Sequence, residues 1–166
     1  LARWLSPSDG LISPLEFIPI AEESGFISAI GRQILSKACH DAVEGMQQGK
    51  WSHDFHLHVN LSVNQLTQTD LIVELETILA ESKLPAKNLT LEITESRLVD
   101  NDPVTIRNMQ AIRDLGIQIA IDDFGTGYSS LAYLHKLPFD CLKIDRTFIN
   151  KLDIKNLENS IVAAVI

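Results

Sequence analysis

The amino-acid sequence predicts an α/β fold in which parallel strands alternate with helices. Four short segments alternate apolar and polar residues with the two-residue period of a strand: 55–61, 89–95, 117–122 and 141–145. Segments with helical periodicity separate them. The strands recur at intervals of roughly 22 to 34 residues, which is the spacing of βα units. Together these observations predict part of a (β/α)8 barrel.

Each predicted strand has an apolar face and a face that carries a polar side chain near its carboxyl end. In a (β/α)8 barrel the apolar face packs on the helices, and the other face lines the barrel axis below a catalytic rim. The four polar residues are Asn60, Glu92, Asp122 and Lys143. We therefore expect them to converge on one mouth. Half-exposed antiparallel strands are the alternative, which the well-marked helices between the strands disfavour.

The helices are marked by caps and by apolar stripes. Asp102 followed by Pro103 is an N-cap with proline at the first helical position, and Gly116 stands where a C-terminal left-handed residue belongs. Apolar stripes predict two further helices over 30–46 and 71–79, and others over 129–134 and 156–166. A fifth strand is expected to begin at 1–4, followed by a strand-to-helix loop over 6–15.

Two adjacent carboxylates, Asp122 and Asp123, end the third predicted strand. In an extended chain neighbouring side chains point in opposite directions, so each carboxylate could hold a metal ion on its own side. Two like charges this close are costly unless a cation neutralises them. The pair therefore predicts a metal site at the end of this strand.

Composition narrows the class of protein. The chain has 166 residues, 45% of them hydrophobic and 22% charged, as in ordinary globular proteins, and it contains no apolar run that could span a bilayer. A net charge of -8 argues against a nucleic-acid-coating surface but not against a small phosphodiester held through metals. Cys39 and Cys141 indicate buried thiols in a reducing compartment. We expect a cytoplasmic domain, and membrane tethering of a longer parent protein stays open.

Two other patterns have alternative interpretations. His56 and His58 share a strand face and, with His53, could form a zinc site. The same face leads to Asn60, which favours His58 as a side chain that fills the barrel interior. The segment 125–127 contains two glycines but lacks the spacing and the lysine of a phosphate-binding loop, so an ordinary mobile loop is favoured.

Six motifs in order span essentially the whole chain. They are Leu1-x-Arg3-Trp4, Pro14-x-x-Phe17-Ile-Pro-x-Ala-Glu22 with Gly25, Val59-Asn-Leu-Ser62, Glu92-Ile-Thr-Glu95, Asp122-Asp-Phe-Gly-Thr-Gly-Tyr-Ser-Ser130 and Leu142-Lys-Ile-Asp145. Together they resemble the EAL domain family, the bacterial phosphodiesterases of cyclic di-GMP. The resemblance implies a modified TIM (β/α)8 barrel with one antiparallel strand, here an incomplete span of about five strands with their helices. It also implies two-metal hydrolysis of cyclic di-GMP to linear pGpG.

The resemblance assigns metal ligands residue by residue. Asn60, Glu92 and Asp122 match the ligands of one ion, Mg²⁺ or Mn²⁺, and Asp122 would bridge to a second ion that Asp123 also binds. Oxygen ligands of these types suit hard divalent cations. Two ions roughly 4 Å apart would activate a water and neutralise the phosphoryl oxygens.

The resemblance also assigns roles outside the metal ligands. Lys143 matches a lysine that contacts the attacking water or the phosphate. Glu95 matches a glutamate that anchors the loop after Asp123. Leu1 and Arg3 match positions that contact the dinucleotide.

The resemblance implies that part of the family's machinery is outside this span. Leu1 matches the last letter of Glu-Ala-Leu, so that glutamate would precede the chain, and another metal-ligand glutamate would follow Ile166. Residues 1–166 are therefore expected to be an EAL-type phosphodiesterase domain truncated at both ends. We expect activity of the complete domain, not of this span alone.

The expected function is metal-dependent hydrolysis of cyclic di-GMP in bacterial signalling. The alternatives are a catalytically inactive EAL-type receptor for the dinucleotide and a protein-binding scaffold. Inactive members usually lose metal ligands or the Asp-Asp-Phe-Gly loop, which this chain retains. The expected partners are cyclic di-GMP, a second copy in a homodimer, and attached sensory or cyclase domains, without any nucleic-acid polymer.

Overall fold

Helices and strands alternate along most of the chain in the computed structural model, which describes residues 3–95, 98, 102–125 and 136–146. In chain order the described elements are β1 (Trp4–Ser6), β2 (Gly10–Ile12), α1 (Pro14–Glu23), α2 (Ile27–Gln47), β3 (Leu57–Asn60), α3 (Val63–Leu66), α4 (Leu71–Ser82), β4 (Leu89–Thr94), α5 (Pro103–Asp114), β5 (Gln118–Phe124) and β6 (Cys141–Ile144). A 3-10 turn, Ala86–Asn88, leads into β4.

The central sheet has the strand order β3-β4-β5-β6, and every pair in it is parallel. The α/β architecture predicted from the strand and helix periods is therefore confirmed, and the antiparallel alternative is wrong for these four strands. Parallel strands joined by helices place their carboxyl ends at one edge of the sheet. The polar residues near those ends are consequently neighbours in space.

The apolar face of the sheet packs on the helices and forms the core. The fully buried side chains of this layer come from β4, β5, α4 and α5: Leu89, Leu91, Ile93, Ile119, Ile121, Leu75, Met109 and Ile112. Removing any one of these large side chains would leave a cavity and cost about 2–5 kcal/mol. This packing makes the sheet a rigid support for its polar carboxyl edge.

Three predicted helices are confirmed by α2, α4 and α5. The side chain of Asp102 accepts hydrogen bonds from the N–H groups of Val104 and Thr105, and Gly116 has a φ of 85° after the last turn of α5. The helices expected over 129–134 and 156–166 lie outside the described residues. No helix in the described part of the chain is long and apolar enough to cross a membrane.

The strand that was expected to begin at 1–4 is described only from residue 3 onward, and its described part does not join the parallel sheet. The chain from Trp4 pairs antiparallel with β2 in a separate hairpin, in which Trp4 faces Ile12. The expected loop over 6–15 therefore contains β2 and the start of α1. A turn closes the hairpin: Ser6 Oγ donates to Asp9 Oδ2 at 3.0 Å, and Gly10 follows with a φ of 74°. These local contacts favour a hairpin over an isolated strand.

The two cysteines differ in their environments. Cys39 is fully buried on α2, but Cys141 is exposed at the start of β6, so the expectation of two buried thiols is wrong for Cys141. β6 is the last strand of the described sheet, and it has a neighbouring strand on one side only within the described residues. Its residues are correspondingly less covered.

Candidate active site

The strand register brings Asn60 and Glu92 together. They are direct Cα partners across β3 and β4, and partners in a parallel pair present their side chains on the same face. Asn60 is exposed, whereas Glu92 is 8% exposed. The chain then turns into α3 through a capping box between Ser62 and Gln65, which ends β3 directly after Asn60.

Lys143 bridges the carboxylates of two neighbouring strands. Its Nζ lies 2.9 Å from Glu92 Oε1 and 3.1 Å from Asp122 Oδ2. Burial lowers the pKa of Lys143, but the hydrogen bonds and charges of both carboxylates outweigh it, so the net pKa is raised. The side chain is therefore a stable ammonium between two acids.

A β-bulge lies at the two adjacent aspartates. Ile121 pairs with Leu142 and Phe124 pairs with Ile144, so β5 advances three residues where β6 advances two. Within the bulge Asp123 has a φ of 55°, a left-handed conformation that is uncommon for residues other than glycine. The premise of an extended chain at this point is wrong, and strand alternation does not set the direction of the Asp123 side chain.

The electrostatics of the bulge show a surplus of negative charge. Burial raises the pKa of Asp123, and the charges of Asp122, Asp145 and Glu92 raise it further, against the opposing effect of Lys143. Asp145 is close because its N–H donates to the carbonyl of Phe124, at 3.1 Å. Acids that raise the pKa of one another mark a place where a cation would be stabilised.

Glu95 holds the backbone that follows the aspartates. It is 2% exposed, and its Oε2 accepts a hydrogen bond of 2.7 Å from the N–H of Gly125. This contact joins the end of β4 to the residue directly after β5. The remainder of the loop in which we expected mobility, residues 126 and 127, lies outside the described residues.

Comparison with known protein families gives a match over the whole chain. The family model described as the EAL domain matches residues 1–166. The chain belongs to the EAL domain family.

Named relatives extend this result. The EAL domain is 39% identical to the bifunctional diguanylate cyclase/cyclic di-GMP phosphodiesterase MucR of Pseudomonas aeruginosa, over 100% of this chain and 24% of that protein. It is 36% identical to the cyclic di-GMP phosphodiesterase PdeR of Escherichia coli, over 100% of this chain and 25% of that protein. The solved structure of the PaMucR phosphodiesterase in complex with c-di-GMP matches with a TM-score of 0.85 and 39% identity, over 98% of this chain and 65% of that chain. The EAL domain thus spans about a quarter of the length of these two curated relatives.

The EAL domain has donors that suit a hard divalent cation. Among the described residues no group of three or more His, Cys, Asp or Glu side chains is close enough to hold a metal ion. In this cluster the ammonium of Lys143 stands between Glu92 and Asp122, and the end of β3 offers the side-chain amide of Asn60. The set nevertheless fits Mg²⁺ or Mn²⁺, because its donors are carboxylate and amide oxygens. After burial, the charges of Asp122, Asp145 and Glu92 also raise the pKa of Asp123, as expected where acids lie close together.

Two residues of this EAL domain stand at the site without having been predicted as site residues from the sequence. His58 contacts Glu92, with 2.7 Å between Nδ1 and Oε1, and its side chain is 49% exposed, so it does not simply fill the interior. Its position two residues before Asn60 on the same strand face was the available signal. The negative charge of Asp145 helps to raise the pKa of Asp123. In the sequence, the motif that Asp145 shares with Lys143 could have pointed to it.

The two predicted dinucleotide contacts are at the start of the chain. Arg3 is exposed directly before β1, and Leu1 lies outside the described residues. Their contact with a dinucleotide stays a prediction.

The structure thus brings together the predicted site residues near the ends of the four parallel strands: the acids, the amide and the lysine.

Proposed function

We propose that the protein containing this EAL domain hydrolyses cyclic di-GMP to linear pGpG with two divalent cations, Mg²⁺ or Mn²⁺. The observation that carries the proposal is the convergence of Asn60, Glu92, Asp122 and Lys143 at one edge of the parallel sheet. The relatives named as cyclic di-GMP phosphodiesterases support the choice of substrate. Because the domain spans only part of those proteins, the activity of the whole protein is part of this proposal.

Four residues would hold the cations. Asn60, Glu92 and Asp122 would supply oxygen atoms to one ion, and Asp122 and Asp123 would supply oxygen atoms to the second. When bound, the ions supply an activated water and neutralise charge on the phosphoryl group. The bulge supports this assignment, because two successive residues in it need not point to opposite faces of the sheet as they would in a regular strand.

Lys143 has a separate task. As an ammonium within 3.1 Å of both Glu92 and Asp122, it places a positive charge at the same mouth without itself binding a cation. Preorganised positive charge stabilises the negative charge that develops on a phosphoryl group in the transition state. The ammonium has three N–H donors, which would let it donate to the phosphate or to the attacking water as well as to these acids.

Glu95 would act through the backbone. By accepting the hydrogen bond from Gly125 it holds the residue two positions after Asp123, and thereby the carboxylate that would bind the second ion. We include Glu95 as a positioning residue for this reason.

The proposal also covers the setting of the domain. We propose further signalling domains in the full-length protein, since the relatives are about four times as long as this span. We also propose a second copy as partner and a cytoplasmic location. The location is supported by the two free cysteines, which are usual in a reducing compartment.

The test is turnover by the purified full-length protein. Cyclic di-GMP with Mg²⁺ or Mn²⁺ should yield pGpG by liquid chromatography, and a chelator should stop the reaction. Glu92→Gln should remove turnover, whereas Glu76→Gln, a change of the same type on the exposed face of α4, should not. Binding of cyclic di-GMP by calorimetry without any pGpG would instead establish an inactive receptor. Neither binding nor turnover would favour a protein-binding scaffold.

A further inference from the structure

His58 and Lys143 act on the same oxygen atom. Nδ1 of His58 lies 2.7 Å and Nζ of Lys143 lies 2.9 Å from Oε1 of Glu92. A carboxylate only accepts hydrogen bonds, so both nitrogens donate. Within the described residues both hydrogen bonds of Glu92 fall on Oε1, and Oε2 receives none.

This asymmetry sets the orientation of the Glu92 carboxylate. The last torsion of a glutamate is broad and nearly two-fold, so a carboxylate with one donor can rotate or exchange its oxygens. Two donors from different strands, β3 and β6, restrain Oε1 from two directions. Lys143 alone is a weaker restraint, because it also contacts Asp122. His58 contacts Glu92 and no other carboxylate among the described residues.

We propose that His58 is a positioning residue, whose Nδ1–H holds Oε1 of Glu92 and leaves Oε2 available to a divalent cation. The inference rests on the proposed function, since Glu92 is a proposed metal ligand. It differs from the interior-filling role expected of His58, because the imidazole is 49% exposed and contributes a hydrogen bond rather than volume. Groups that orient a metal ligand in this way are typically worth 10- to 100-fold in metal affinity.

Binding of Mn²⁺ to the full-length protein without substrate tests the inference independently of turnover. His58→Ala and His58→Leu both remove the hydrogen-bond donor; Ala leaves space, whereas Leu fills it. Both variants should raise the dissociation constant for Mn²⁺ by about 10- to 100-fold. His58→Asn should recover most of the affinity, because its amide nitrogen can donate from near the position of Nδ1. His56→Ala is the matched control, since His56 is an exposed histidine directly before β3, two residues earlier in the chain.

Kinetics add a second readout. His58→Ala should lower kcat at fixed Mn²⁺ and recover with excess Mn²⁺, while KM for cyclic di-GMP changes little. If wild type binds Mn²⁺ and forms pGpG and both donor-free variants match its Mn²⁺ affinity, the role of His58 is refuted and the proposed function stands. Equal losses in His58→Asn and His58→Ala would also refute it, because the hydrogen bond would then not be the cause. If wild type neither binds Mn²⁺ nor forms pGpG, the proposed function and this inference fail together.

Discussion

The carboxylate of Glu95 accepts a hydrogen bond of 2.7 Å from the N–H of Gly125, and the two residues end neighbouring strands. Gly125 has a φ of 97°, which residues with a side chain rarely adopt. Asp123, two residues earlier, is also left-handed and lies in the bulge of β5. The backbone that carries the proposed ligand of the second cation is thus held by one buried acid.

Glu95→Ala should therefore act on the second cation more than on the first. The N–H of Gly125 would lose its acceptor, which costs about 1–3 kcal/mol when the group stays buried. We expect a large loss of turnover, a higher Mg²⁺ requirement and only a modest loss of cyclic di-GMP affinity. Titration of Mg²⁺ against turnover in the full-length protein measures this effect. Glu95→Gln should be milder, because its amide oxygen can still accept the hydrogen bond.

The matched control for Glu95 is an exposed glutamate of α4. Glu76→Ala removes the same side chain from a solvated surface and should leave both turnover and the Mg²⁺ requirement unchanged. An unaltered Mg²⁺ requirement together with unaltered turnover in Glu95→Ala would show that this contact does not support the site.

Cations should stabilise the folded protein. Burial raises the pKa of Asp123 and the neighbouring acids raise it further, so the cluster without a cation carries repulsion that a cation would relieve. A ligand that binds only the native state at 100 times its Kd adds about 2.7 kcal/mol, which raises Tm. Asp122→Asn should lose most of the Tm response to Mg²⁺ or Mn²⁺, as measured by differential scanning fluorimetry against a chelator.

Asp41 provides the control for this response. It pairs with Lys37 on the exposed surface of α2, so Asp41→Asn changes the net charge by the same amount without touching the cluster. Its Tm should rise with Mg²⁺ as in wild type. If neither metal nor chelator changed the Tm of wild type, the proposal that these acids bind a cation would be contradicted.

Local patterns account for the parts of the fold that were predictable. Neighbouring residues determine the alternation of apolar and polar side chains in β4, and they also determine the caps of α5 at Asp102 and Gly116. Both features can therefore be recognised directly in the sequence. Parallel order then places the polar strand ends together. For this reason Asn60 and Glu92 were predicted at one edge of the sheet, and they are Cα partners there.

Pairing and register account for what was not predictable. The side chains of the strand at Trp4 would alternate between two faces whether the strand joined the sheet or paired with β2. Its pairing partner therefore cannot be predicted from its own residues. The bulge at Asp123 depends on how β6 lies against β5, which no residue of β5 reveals alone. The contact of His58 with Glu92 required the rotamers of two strands, although their shared face was visible in the sequence.

The two cysteines should react at very different rates. Burial raises the pKa of Cys39 to about 11, so little thiolate forms at pH 8, and the side chain is fully covered. Cys141 is exposed. Iodoacetamide at pH 8 should label Cys141 in the native protein and leave Cys39 unmodified until urea unfolds it, as peptide mass spectrometry would show. Equal labelling of both in the native state would contradict the packing of α2 on the sheet.

Acid should weaken the junction between β5, β6 and α5. Asp140 Oδ1 accepts hydrogen bonds from Nε and Nη2 of Arg113 at 3.0 and 2.8 Å, and Oδ2 accepts one from the N–H of Ile119 at 2.9 Å. Burial raises the pKa of Asp140, but the donors at Arg113 and Ile119 outweigh it, so the net pKa is lowered. A lowered folded-state pKa contributes stability above the ordinary value of about 3.9, and that stability is lost as the pH falls through the folded-state value.

Asp140→Asn should consequently lower stability at pH 7 by about 1 kcal/mol, discounted for the partial exposure of the ion pair. The difference between wild type and this variant should shrink as the pH falls below about 4, where the unfolded carboxyl becomes protonated, and it is lost as the pH falls through the lowered folded-state pKa. Urea unfolding of the full-length protein, followed by circular dichroism at pH 7 and pH 3, measures both. Asp41→Asn is the control, since it removes the same charge from the exposed surface of α2, where Asp41 pairs with Lys37. A difference of the same size at both pH values would mean that the lost contribution is packing rather than charge.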